Sequence, residues 1–477
     1  MKKIFILTFA ALTLCSCSDK KQRAMENINS EIAAGNFTIA DSLIDSYISQ
    51  NELGEDERYE LNFQKDLMHR KRLDFRSDKE SVVKYISRYY PEVDDAMLEK
   101  WEKSKALETM MIDGEKKYFN RAARNLFRID REAGKRKLEV DGESIDELQL
   151  LLEKHLPEVM AQAKESPARQ SVPKKMKITY TLTVPANTVP ANETIRCWLP
   201  YPRTDSRRQT NIELLSVDAA DYLISSDEYL HKSLYIEKRA VENEAAVFKY
   251  SFLMSAAAEW FDLKPENIKP YDKESELYKK YTAERNTHVI FSDLIKEYSA
   301  KIVGNETNPL LVSNKILQYI KDSYPWASAL EYSTMANIPE YVIENNHGDC
   351  GMVGLLYITL CRYNGIPAKW QSGFMLHPGD VNLHDWAETY FEGIGWVPVD
   401  PSFIRRSFAD KDVNAFYSNG IDAYRWIVND DYSQEFSPAK KYPRSETVDF
   451  QRGEVEWSGG NLYFNKWKWN IDVEYLD

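Results

Sequence analysis

Three residues have the types and the order that covalent catalysis at a carbonyl requires. Cys350 follows Gly348-Asp349 and opens an apolar run, Met352 to Cys361, that closes at Asn364-Gly365-Ile366-Pro367. The run reads as one buried helix, stopped by the glycine and the proline, with a cysteine in its first turn. A thiol there meets the positive end of the helix dipole, where pKa values of roughly 3.5–7.5 are known, so a thiolate near neutral pH is the expectation. Downstream lie His384, in Leu383-His384-Asp385-Trp386-Ala387-Glu388, and Asp400, in Trp396-Val397-Pro398-Val399-Asp400-Pro401. Cysteine, histidine and aspartate in that order can serve as nucleophile, base and orienter of the base. His347 is the rival base; three residues upstream of Cys350 in a polar loop, it reads as a surface residue.

These side chains need a scaffold, and the neighbouring sequence supplies one. Helices are expected over Asp293 to Ile302 and over Leu311 to Ser323, where Val312, Ile316, Leu317 and Ile320 form an apolar stripe that Pro325 cuts short. After the cysteine helix come a strand from Ala368 to Met375 and a second through His384, Trp386, Glu388 and Tyr390. Gly393-Ile394-Gly395 then turns the chain into a third strand, Trp396 to Val399. A helix carrying the nucleophile, packed on an antiparallel sheet carrying His and Asp, is an α+β layout over residues 265–404. Trp370, Trp386 and Trp396 read as core aromatics of that sheet.

The remainder of the 477-residue chain divides by hydrophobic period. Residues 18–168 are charged and mostly helical, with apolar stripes at Ala40, Leu43, Ile44, Tyr47 and Ile48 and at Val82, Val83, Tyr85, Ile86 and Tyr89. A hairpin is expected at Asp113-Gly114. A polar, proline-flanked linker, Glu165 to Pro173, ends this part. Period-two runs (Ile178, Tyr180, Leu182, Val184; Ile195, Cys197, Leu199; Phe248, Tyr250, Phe252) predict a β-sandwich over 174–260. Residues 405–477 form a polar, then aromatic and β-rich C-terminal extension. The fold class is thus α+β multidomain: helical domain, sandwich, catalytic core and β-rich tail. A net charge of −13 with no basic stripe argues against nucleic acid as a partner.

Residues 1–17 read as a targeting segment: Lys2-Lys3, then an apolar core from Ile4 to Leu14 that is too short to span a bilayer. Leu14-Cys15-Ser16-Cys17 resembles a bacterial lipobox with Cys17 as the lipidated residue. The expectation is a lipoprotein of the bacterial cell envelope, at the periplasmic face or the outer surface, held to the membrane by its N-terminal lipid. Of the five cysteines, Cys197, Cys350 and Cys361 then remain, an odd number in an oxidising compartment. Eleven residues of helix separate Cys350 from Cys361 by about 16 Å, too far for a disulfide. No Cys-x-x-Cys pair or histidine ladder marks a metal site, and no cofactor is implied.

Gly348-Asp349-Cys350, the helix ending Asn364-Gly365-Ile366-Pro367, His384-Asp385-Trp386-Ala387-Glu388 and Trp396-Val397-Pro398-Val399-Asp400-Pro401 together resemble the transglutaminase-like superfamily over about residues 275–403. The resemblance implies a papain-like core with Cys350 as nucleophile, His384 as general base and then acid, and Asp400 orienting the imidazole. It also implies that Trp326, at the close of the preceding helix, lies beside the site, and that the Cys350 N–H helps to hold the oxyanion. Asp385 and Gly351-Met352 depart from the family, which commonly has a small or apolar residue after the histidine and polar residues after the cysteine. The chemistry implied is hydrolysis of a peptide or related amide through a thioester, on a peptide or protein substrate such as a cell-wall peptide or glycopeptide. A protein-glutamine transamidase on the same triad is one alternative. A non-catalytic envelope binding or scaffold protein is the other.

Overall fold

The structure, a computed structural model, describes residues 21–476; the targeting segment and Cys17 lie outside the described residues. The chain folds as two compact units that meet between Val140 and Asp141. The division therefore precedes the proline-flanked linker expected to carry it, and the helix Glu147–Glu165 belongs to the second unit.

The first unit is helical apart from one hairpin, Thr109–Ile112 with Glu115–Tyr118. Its turn residues Asp113 and Gly114 both take positive φ, the conformation that an Asp-Gly pair favours. Of the expected stripes, Ala40 and Ile44 and then Val82, Ile86 and Tyr89 are buried, the others half-buried, and Phe37 joins the first in the core.

In the second unit two sheets face each other. One runs in the order 460–461, 454–457, 194–200, 233–239, 223–224, and the other 468–475, 174–184, 246–256, 209–217. Strands from the C-terminal extension thus enter both sheets. Glu454–Trp457 pairs with Thr194–Pro200, and Lys468–Tyr475 with Lys174–Val184. The sandwich core holds Tyr180, Trp198, Tyr250 and Phe252, and it continues into Phe374 and Trp426 of a third sheet.

That third sheet carries His384, and Asp400 follows one of its strands. Its order is 395–399, 380–391, 368–377, 425–429, antiparallel throughout, so the extension supplies an edge strand here too. At Gly373 the strand Arg425–Asn429 comes so close that a Cβ would lie 2.0 Å from the Trp426 carbonyl oxygen, and only glycine allows this pairing. The cysteine helix, Cys350–Tyr363, is buried all round. It packs on the strands Ala368–His377 and Asp380–Phe391 and against the helices Pro309–Ser323 and Ile338–Asn345. Tyr357 pins it in place: its hydroxyl is 2.7 Å from Ser313 Oγ and 2.6 Å from Thr389 Oγ1. No helix among the described residues is long and apolar enough to cross a membrane.

Candidate active site

Asp349 caps the cysteine helix, accepting from the Met352 N–H at 3.1 Å. This cap fixes where the helix starts and so places Cys350 at its first position. Upstream, the backbone of Trp326 bridges Gly348, with the Gly348 N–H donating to the Pro325 carbonyl at 3.3 Å. Trp326 therefore stands two residues from the cysteine along a paired backbone, with 41 % of its surface exposed. Cys197 and Cys361 are buried, free thiols, whereas Cys350 is half-buried.

Gly351 explains one departure seen in the sequence. A Cβ there would lie 2.2 Å from Tyr332 Oη, 2.8 Å from Asp385 Oδ2 and 2.8 Å from the Trp370 ring. The helix start is packed so tightly against these three that no side chain fits.

His384 and Asp400 meet. His384 sits on the strand Asp380–Phe391 opposite Gly373, and its Nε2 is 2.7 Å from Asp400 Oδ2. Asp400 follows the strand Gly395–Val399, and its Oδ1 accepts from the Ser402 and Phe403 N–H groups at 3.1 and 2.9 Å. Behind it, Arg425 Nη2 lies 3.3 Å from Asp400 and 2.6 Å from Asp422, with its guanidinium 4.4 Å from the Phe403 ring centre. The same ring meets His384 edge-on at 4.9 Å. Tyr417 donates to Asp422 at 3.0 Å, and His377 Nε2 is 3.0 Å from the other Asp422 oxygen. Burial opposes the Asp400 charge, but His384 and Arg425 outweigh it and hold the carboxyl below its usual range. Burial lowers the pKa of His384 despite Asp400, so the imidazole rests neutral.

Cys350 is engaged elsewhere. Its Sγ donates to Asp385 Oδ2 at 3.3 Å, and that is where its hydrogen bond goes, not to the imidazole. The two neighbours on this strand have different partners: Asp385 accepts from the thiol, and His384 pairs with Asp400. The thiol is not the low-pKa group that the helix start alone predicts. Burial, then Asp385 and Asp349, push it well above the usual range for cysteine.

The carboxyl cluster behind this effect is assembled from distant stretches. Tyr332 donates to Asp349 at 2.7 Å and lies 3.4 Å from Asp385 Oδ2. Gln451 Nε2 donates to Asp385 Oδ1 at 2.8 Å and to the His384 carbonyl at 3.0 Å. Asp449 accepts from Ser372 at 2.6 Å. Burial raises Asp349 to about 6 and Asp385 well above its ordinary value, with Asp449 the next cause for Asp385. Of these groups only Asp349 and Asp385 had a signal in the sequence, as the residue before the cysteine and the acidic residue after the histidine. Tyr332, Asp449, Gln451 and Arg425 carry no local mark. His347, expected at the surface, is 2 % exposed; its Nδ1 is 2.8 Å from the Asn345 carbonyl and its ring meets Tyr341 edge-on. Both partners belong to the helix Ile338–Asn345, which the polar loop did not reveal.

Residues 296–401 match the family model of the transglutaminase-like superfamily, a span that contains Cys350, His384 and Asp400. An uncharacterized protein of Haemophilus influenzae is 24 % identical over 279 residues, covering 50 % of this chain and 72 % of its own length. Among solved structures, a candidate cysteine protease from Cytophaga hutchinsonii is 15 % identical, covering 65 % of this chain and 92 % of that one, with a TM-score of 0.43. The periplasmic domain of TgpA from Pseudomonas aeruginosa is 13 % identical, covering 52 % and 92 % respectively, with a TM-score of 0.26. By the family-model match alone, residues 296–401 form a transglutaminase-like domain, here within an α+β fold.

Proposed function

We propose that this protein is a cysteine hydrolase that cleaves a peptide or related amide bond, with Cys350 as nucleophile, His384 as base and Asp400 as orienter. The observation that carries this reading is the buried His384–Asp400 pair, 2.7 Å apart, on strands against which the cysteine helix is packed. Asp400 receives two backbone N–H groups and a guanidinium, so it stays ionised and fixes both the tautomer and the orientation of the imidazole. With Nε2 turned to Asp400, Nδ1 is the nitrogen left to receive a proton.

The chemistry follows from these roles. Cys350 leaves Asp385 and passes its proton to His384; the sulfur bonds to the amide carbon, and the carbonyl π electrons move to oxygen. The helix N-terminus, including the Cys350 N–H, stabilises that oxyanion. On collapse the C–N bond breaks and the imidazolium protonates the departing amine, leaving a thioester. Water, deprotonated by His384, then attacks the thioester to release the acid and restore the thiol. Envelope attachment through Cys17 is part of the same proposal and rests on the lipobox-like sequence alone; Cys17→Ala should abolish incorporation of labelled fatty acid.

The test is turnover of a panel of peptides and cell-wall glycopeptides by the purified full chain, with acid quench and mass spectrometry for an acyl group on Cys350. We expect Cys350→Ala and His384→Ala to lose roughly 10³-fold or more in rate, as removal of a triad member does, and the adduct to vanish in the former. Turnover that survives Cys350→Ala would refute the assignment. Transfer of the acyl group to added amines in preference to water would make the enzyme a transamidase.

A further inference from the structure

The contact between Cys350 and Asp385 is not one that a thiol poised for attack should make, and the residues around it are arranged to keep it. Asp385 is buried and held from four directions: Gln451 at Oδ1, Tyr332 and Cys350 at Oδ2, and a side-chain hydrogen bond with Asp449. The segment that supplies Asp449 and Gln451 also supplies Arg452, which pairs with Glu331 at 2.5 Å, next to Tyr332. One short piece of the C-terminal extension therefore clamps the carboxyl from one side while the cap of the cysteine helix closes it from the other.

We propose that Asp385 is a positioning residue that keeps Cys350 as a neutral thiol disengaged from His384, so that the site rests locked. This rests on the reading of Cys350 as nucleophile and His384 as its base. Either protonation state of Asp385 has the same effect. Ionised, it repels a thiolate 3.3 Å away; protonated, its carbonyl oxygen still accepts the S–H and so favours the thiol. The groups facing it do not reverse this. Asp349 from the helix cap, Tyr332 from the preceding turn and Asp449 from the extension are all acids, with Glu331 and Glu446 beyond them. The nearby cations Arg452 and Arg444 are directed to Glu331 and to the Asp449 main-chain carbonyl. His384, the preceding residue on the strand, is paired with Asp400.

The experiment is the rate of iodoacetamide alkylation of Cys350 against pH in the full-length protein, for wild type, Asp385→Asn and Asp385→Ala. Mass spectrometry assigns the label, and the buried Cys197 and Cys361 report on folding, since they react only if the core opens. Wild-type labelling should rise only above the ordinary thiol value of about 8.5. Both variants should label Cys350 at least about tenfold faster at neutral pH, the thiolate gain from a shift of one unit, with Cys197 and Cys361 still protected. Labelling unchanged in both variants would overturn the proposal. Slower labelling would overturn it too, and would instead make Asp385 the group that takes the thiol proton. No substrate is needed, so the two readings fail separately. Turnover that survives Cys350→Ala, with a clear labelling shift in the Asp385 variants, sinks the hydrolase assignment and leaves Asp385's hold on the thiol; turnover that needs Cys350, with no shift, does the reverse.

Discussion

Replacing Arg425 by methionine is the sharpest test of how the histidine's partner is held. The guanidinium is 1 % exposed and lies 2.6 Å from Asp422 and 3.3 Å from Asp400, both fully buried. Methionine fills much of the volume but leaves two carboxylates without their cation, and breaking a buried pair this way costs about 3–5 kcal/mol. That is a large share of the roughly 5–15 kcal/mol that holds a domain folded. The pH dependence gives the cause away. In the wild type, Asp400 and Asp422 are both held below the ordinary carboxyl value, Asp422 well below it. Each therefore contributes stability that is present above the unfolded value of about 3.9 and is lost as pH falls through the lower folded value. In Arg425→Met both carboxyls lose a cation that holds them down and titrate higher than in the wild type, so the variant loses less stability than the wild type as the pH falls. The gap between the two should be widest near neutral pH and should narrow toward about pH 4. Urea unfolding followed by tryptophan fluorescence reports it directly, because Trp386 lies 5.9 Å from the guanidinium. A gap below about 0.5 kcal/mol, or one of constant size across that range, would refute the reasoning.

Two further outcomes can be checked with the same preparations. Gly351→Ala should destabilise by about 1–3 kcal/mol through overpacking against Tyr332, Asp385 and Trp370, read as a lowered midpoint in calorimetry; an unchanged midpoint would mean that the helix start is looser than the contacts imply. A fragment of residues 265–404, the core as bounded by sequence pattern, should not fold by itself. It lacks the edge strand Arg425–Asn429 and leaves Phe374, which stacks on Trp426 at 4.5 Å, facing water. A cooperative thermal transition of that fragment in circular dichroism would show the extension to be dispensable.

How much was legible depends on the range of the interaction. The cysteine helix, the histidine strand and Asp400 are signalled by residues within a few positions of each other: a cap, an apolar run, a Gly-Ile-Pro stop, a turn between two Gly residues. The extension was legible as strand but not as partner. A period of two tells which side chains share a face, not which strand lies alongside, and Tyr475 pairs with Met176, 475 − 176 = 299 residues away. The edge strand beside Gly373 was hidden for the same reason. So was the carboxyl cluster, whose members Asp349, Asp385 and Asp449 come from three separate stretches.

The thiol shows why such long-range terms can reverse a local expectation. The helix dipole favours a thiolate at Cys350 by typically 0.3–1 kcal/mol and at most about 2, or at most about 1.5 pKa units at roughly 1.36 kcal/mol each. Desolvation opposes it first, and an ionised Asp385 about 4 Å away would add about 4 kcal/mol at an effective dielectric constant of 20. The local effect is real but smaller than either opponent, so its sign does not survive folding. Whether a cysteine at a helix start is reactive is thus decided less by the helix than by burial and by the side chain that the sheet brings against it. In this chain that side chain is Asp385, where a small or apolar residue would have left Asp349 as the neighbouring acid opposing the dipole.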